Sequence, residues 1–76
     1  MSRTKVRLSA HARSRMAQRG ISDRQILIII NGGHRESEPT SAVSAERWRY
    51  TGMADGRRIT VIATESETDI VVITAY

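Results

Sequence analysis

Two periodicities divide the chain. From Ser9 to Gly20, S-A-H-A-R-S-R-M-A-Q-R-G, apolar and polar positions recur at about 100° per residue, the helical spacing. Ala12 and Met16 lead into an apolar side that Ala10 and Ala17 continue, and His11, Arg15, Gln18 and Arg19 share one polar arc. Arg13 is the odd residue, pointing toward the apolar side. Ser9 suits the N-cap, where its hydroxyl accepts from an unpaired backbone N–H, and Gly20 suits the left-handed position past the end. A second helix is expected from Asp23 to about Asn31. Ser22 and Gln25 fit a capping box, and Ile21 and Ile26 fit a hydrophobic staple. The run Ile26 to Ile30 has high strand propensity because branched side chains lose rotamer freedom in a helix. The start signal and the Asn31-Gly32-Gly33 stop decide for a largely buried short helix, apolar on most faces.

The rest follows a period of two. Thr4 to Leu8 alternates Val6 and Leu8 with Lys5 and Arg7, as a short strand or an extended lead-in, and His34 to Glu38 is a candidate strand. Glu38 to Ser44 reads as an exposed loop around Pro39, the only proline. Arg47 to Ala54 and Arg57 to Thr64 flank Asp55-Gly56, a strong two-residue hairpin signal. That loop pairs Ala54 with Arg57, Met53 with Arg58, Thr51 with Thr60 and Arg49 with Ile62. One face then carries Trp48, Tyr50, Ile59, Val61 and Ala63 and packs on the helices. The other carries Arg47, Arg49, Thr51, Arg58, Thr60 and Thr64, with Met53 and Ile62 among them. Such a face is either ordinary solvated sheet or a platform for nucleic acid, since an exposed antiparallel face is polar in any case. Glu65 to Asp69 reads as an acidic turn and Ile70 to Tyr76 as a last strand, apolar enough to sit centrally. The expected fold is α+β, two N-terminal helices packed on one face of a three- to four-stranded antiparallel sheet.

Composition narrows the function. A chain of 76 residues allows one small domain, and such a domain buries only about 60% of the surface its unfolded chain exposes, so a partner or a homodimer is expected to add to the core. There is no cysteine, which removes disulfides and thiolate zinc sites and suits a reducing compartment. The longest apolar run is far too short to span a bilayer, and the N-terminus lacks a signal-peptide core, so the reading is a soluble cytoplasmic protein. Net charge is +4, and the basic side is almost all arginine, Lys5 being the only lysine. Arginine offers a planar fork that pairs with phosphate and stacks on bases. Between Met1 and Arg24 seven basic residues face Asp23 alone, while acids gather at Glu65, Glu67 and Asp69. This asymmetry favours a polyanion or an acidic protein as partner, against the plainer reading of a surface tuned for solubility.

His11 is the one promising acid–base residue. It falls in the first helical turn, where the helix N-terminus and Arg15 one turn on attract anions. A neutral imidazole beside guanidinium groups is a general base next to an anion clamp. The competing reading is a capping or packing histidine, and for Arg15 and Arg19 an exposed or structural arginine. His34, beside Gly33, reads as a loop residue rather than a catalyst. Trp48 and Tyr50 could stack bases, but their strand face assigns them to the core. Two histidines without cysteine argue against a structural zinc site, and no cofactor is expected.

The segments H-A-R-S-R-M-A-Q-R-G-I-S, R-R-I-T-V-I-A and V-V-I-T-A-Y together resemble the domain of unknown function 4258 family over nearly the whole chain. The most specific parts are His11-Ala12, Arg15-Met16, Arg19-Gly20-Ile21 and Ile73-Thr74-Ala75-Tyr76; the segment from Glu36 to Met53 departs from the pattern. That family is grouped with small toxin-like nucleases of the barnase, colicin and RelE type. The resemblance implies a compact α+β toxin-like domain and metal-independent RNA cleavage, with an acidic antitoxin or immunity protein as neutralising partner. In that reading His11 is the base, Arg15 and Arg19 stabilise the phosphorane, and Tyr76 or a second histidine is the acid. Arg47, Arg49, Arg58, Thr60 and Thr74 contact the RNA, Thr74 orienting a phosphate through its hydroxyl. The alternative is a non-catalytic nucleic-acid- or protein-binding module with the same fold.

Overall fold

The computed structural model describes residues 5–38, 47–65 and 69–76. The elements run β1 (Lys5–Leu8), α1 (Ala10–Arg19), α2 (Asp23–Gly32), β2 (His34–Glu38), β3 (Arg47–Ala54), β4 (Arg57–Glu65) and β5 (Asp69–Ala75). The expected loop around Pro39 and the middle of the acidic turn, residues 66–68, lie outside the described residues, as does Thr4.

The β3–β4 hairpin sets the parity of the sheet. Asp55 and Gly56 take positive φ values of 55° and 75°, the left-handed pair whose twist matches that of the flanking strands. The register follows directly, with Ala54 opposite Arg57, Thr51 opposite Thr60 and Arg49 opposite Ile62. Tyr50, Ile59, Val61 and Ala63 are buried in the core, and Trp48 packs half-buried against it.

The sheet corrects the expected architecture. It has five strands in the order β1-β5-β4-β3-β2, not three or four, and it is mixed rather than antiparallel. β1 runs parallel to β5, pairing Lys5 with Asp69 through Leu8 with Val72, and β2 adds antiparallel to β3. The physical reason lies in β5 itself. A central strand needs a hydrogen-bonding neighbour on each side, and with β4 on one side only β1 supplies the other. Both added strands are short and polar on at least one face, so neither carries a strong apolar alternation.

A β-bulge joins sheet to helix. Thr74 pairs with Ile62 and Val72 with Ala63, so Ile73 has no partner in the β4 register. The extra residue brings Val72 and Ala75 onto one face, both fully buried, which a regular strand would not do at a spacing of three. Ser9 uses the carbonyls there. Its N–H donates to the Val72 oxygen at 3.1 Å and its hydroxyl to the Ile73 oxygen at 3.1 Å, while its Oγ accepts from the Ala12 N–H at 3.0 Å as the N-cap of α1. At the other end, Gly20 takes φ 68°, and the Arg57 guanidinium donates to the carbonyls of Arg19 and Gly20.

α2 begins with the expected capping box of Ser22 and Gln25. Arg24 and Gln25 both donate to Asp55, at 2.7 and 2.9 Å, tying the helix start to the hairpin turn. Two expectations about the helix faces fail. Ala10 and Ala17 are exposed, because α1 meets the sheet only along Ala12 and Met16. α2 is not buried on most faces: Ile26 and Ile29 enter the core, but Leu27 and Ile28 remain 43% and 37% exposed. Gly33 ends α2 in extended conformation, φ −82°. Its role is close approach: a Cβ there would meet the Ile29 oxygen at 2.5 Å and the Thr51 oxygen at 2.8 Å.

At the far end of the core face, the Glu65 carboxylate accepts from the Tyr50 hydroxyl and from Arg35 at 2.8 Å. Arg35 also lies 4.0 Å over the Trp48 ring, a cation–π contact. Burial first, then the bond to Glu65, pushes the Tyr50 phenol up to about 12.

Two outcomes are expected. Gly33→Ala should lose about 1–3 kcal/mol in urea unfolding, the usual cost of an overpacked site, whereas Gly32→Ala, with nothing within 4 Å of the added carbon, should be near neutral. In an ultraviolet phenolate titration, one late component near pH 12 should vanish in Tyr50→Phe. Because the folded value lies above the unfolded one of about 10, the associated stability is complete below about pH 10 and is lost as the pH rises through the folded value.

Candidate nucleic-acid interface

The parity that buries Tyr50 and Val61 sends the alternate residues of β3 and β4 to the opposite face of the sheet, on which neither helix packs. There Arg47 stands opposite Thr64, Arg49 opposite Ile62, Thr51 opposite Thr60 and Met53 opposite Arg58. Thr74 joins them beside Ile62. Tyr76 also joins them, since its N–H and carbonyl exchange hydrogen bonds with Thr60 at 2.8 and 2.7 Å, and residues so paired share a face. β1 contributes Arg7, which bonds Asp69 at 3.4 Å. All five residues expected to contact nucleic acid therefore share one surface, and Tyr76 shares it with them.

Within this surface lies an open depression of about 580 Å³ lined by His34, Glu36, Thr51, Gly52, Met53 and Arg58. Met53 is 61% exposed. Ile62 is the exception to an exposed face, only 7% accessible, with Arg49 and Thr74 as its cross-strand neighbours. Arginine stems routinely shade apolar surface in this way while the head stays in water. Glu36 sits between two basic groups: its Oε1 accepts from Arg49 Nη2 at 2.8 Å, and its Oε2 is 3.6 Å from His34 Nε2. The Arg49 hydrogen bond, then its charge, then His34 hold the Glu36 carboxyl below the ordinary carboxylate range. Arg58 has no ionic partner among the described residues.

Glu36 is the residue lining this depression that the sequence pattern does not single out. His34 belongs to β2, the strand expected from His34 to Glu38, and not to a loop. H-R-E-S-E holds no apolar residue, so hydrophobic alternation is silent. The available signal is charge: Glu36 stands opposite Arg49 in register, and opposite charges across an antiparallel pair stabilise it.

The helix-borne group is elsewhere. His11, Arg15 and Arg19 project from α1, which packs on β5 from the core side. His11 and Arg19 are exposed and Arg15 is half-buried, its Nε buried without a hydrogen-bond partner among the described residues; Arg47 Nε is in the same condition. α1 thus lies on the core side of the sheet, and Tyr76 pairs with Thr60 on the opposite face. Among the described residues no group of three or more His, Cys, Asp or Glu side chains is placed to hold a metal ion, and no helix is long and apolar enough to cross a membrane.

A family model described as a domain of unknown function, DUF4258, matches residues 8–76. The chain belongs to the DUF4258 family. The match begins at Leu8, the last residue of β1, and runs through both helices and the other four strands. No curated protein and no solved structure matches the chain.

A carboxylate held low by Arg49 is directly measurable. In carbon-detected NMR, Glu36 should titrate below the ordinary glutamate range, and Arg49→Gln should raise it. The linked stability is present above that ordinary range and is lost as the pH falls through the lowered value.

Proposed function

We propose that the uncovered face of the sheet binds single-stranded RNA and that the chain works as a toxin-like domain acting on RNA. The observation that carries this reading is the convergence of Arg47, Arg49, Arg58, Thr60 and Thr74 on one face that neither α1 nor α2 covers. Guanidinium groups neutralise phosphates, threonine hydroxyls add neutral donors, and the exposed Met53 and Tyr76 offer apolar and aromatic surface to unstacked bases. Membership of the DUF4258 family supports the same reading in so far as that family is grouped with small toxin-like nucleases of the barnase, colicin and RelE type. An acidic neutralising protein would compete for the same positive surface. A second reading, cleavage with His11 as the base, draws on the exposure of His11 in a first turn that carries no acidic residue.

The test is fluorescence anisotropy with a labelled single-stranded RNA across a range of salt. Each neutralised phosphate releases counterion and contributes a slope of roughly −0.7 for a single strand. Arg49→Ala and Arg58→Ala should each flatten the slope by under about one unit, with folding checked by circular dichroism. An affinity that does not change with salt would contradict an arginine-driven interface.

A further inference from the structure

The depression on the RNA-facing surface holds a base, an orienting carboxylate and a phosphate donor. His34 stands opposite Thr51 on β3, and Thr51 opposite Thr60 on β4, with Arg58 two residues along from Thr60. Two strand spacings separate His34 from the strand of Arg58, about 10 Å between backbones. An imidazole and an arginine reaching in from the two sides can close that span around one phosphate. Between them the floor is Thr51, Met53 and the backbone of Gly52.

Glu36 is the orienter. Arg49 fixes its Oε1 at 2.8 Å, leaving Oε2 facing His34 Nε2 at 3.6 Å. That separation exceeds a hydrogen bond, but such contacts in free enzymes commonly tighten only once substrate is bound. An imidazole tethered through Nε2 presents Nδ1 as its free acceptor.

We propose that this depression is a phosphodiester-cleaving centre, with His34 as general base, Glu36 as its positioning residue and Arg58 as the phosphate donor. The inference rests on the RNA-binding reading of the face. His34 Nδ1 takes the proton of a ribose 2′-hydroxyl as the 2′-oxygen forms a bond to phosphorus. The bond from phosphorus to the 5′-oxygen breaks, its electron pair leaves with that oxygen, and a solvent water protonates it. The resulting hydroxide takes the proton back from the imidazolium. The products are a 2′,3′-cyclic phosphate and a 5′-hydroxyl, and Arg58 offsets the charge that builds on the phosphorane.

The experiment uses the full chain in excess over an end-labelled, mixed-sequence RNA in EDTA, with the all-deoxy oligonucleotide beside it and binding measured on the same samples. The parent should cleave RNA to cyclic-phosphate ends and leave the deoxy strand intact. A folded His34→Ala should lose about 10²- to 10⁴-fold in rate with RNA affinity retained, and added imidazole should restore part of it. Glu36→Gln should bind RNA more tightly, having lost a negative charge, yet turn over more slowly; a merely electrostatic role would give only the first change. RNA bound but not cleaved would overturn this inference and leave the binding reading standing. No RNA binding would overturn both. A rate that survives His34→Ala, or one that falls only with His11→Ala, would also overturn it.

Discussion

Parity at the Asp55–Gly56 turn governs which side chains meet the helices and which face away from them. Side chains alternate strictly along a strand, so a slip of one residue would carry Arg49, Thr51, Arg58 and Thr60 under α2 and send Tyr50, Ile59 and Val61 into water. The positive φ values at Asp55 and Gly56 and the hydrogen bonds from Arg24 and Gln25 to Asp55 hold that parity from both sides. The residue that opens the turn also receives, through its carboxylate, the start of α2. Turn and helix placement are therefore coupled, and the uncovered face follows from the pair.

The bulge at Ile73 is the second constraint. By resetting the alternation of β5 it buries Val72 and Ala75 together and turns Thr74 and Tyr76 toward the arginines. Ser9 then converts the irregularity into a joint, capping α1 while bonding the carbonyls of Val72 and Ile73. Function inherits the consequence. α1 sits on one side of the sheet and Tyr76 on the other, so the basic residues divide into a helix-borne group and a sheet-borne group. Only the second group borders the depression that holds His34 and Glu36.

Much of this was legible in the residues. Ser9, the Ser22 and Gln25 box, and Asp55-Gly56 are local signals whose chemistry is complete within a few positions, and the faces of β3 and β4 follow from them. What escaped depends on distant partners. Lys5–Leu8 and His34–Glu38 both read as candidate strands, but their places in the sheet, parallel to β5 and antiparallel along the β3 edge, are not written in either segment. Leu27 and Ile28 stay exposed because a helix laid on a sheet buries one stripe, however apolar the remainder. The separation of His11 from Tyr76 needed the topology and the bulge together. Neither has a signature in spacing along the chain.

The central claim is that RNA meets the open face of the sheet. Methyl-selective NMR during titration with a short single-stranded RNA tests it most directly, because side-chain methyls report which face is touched. The account predicts that the methyls of Met53, Thr51, Thr60 and Thr74 shift together while the exposed Ala10 and Ala17 of α1 do not. Shifts confined to Ala10 and Ala17, with Met53 and the three threonines unmoved, would contradict it.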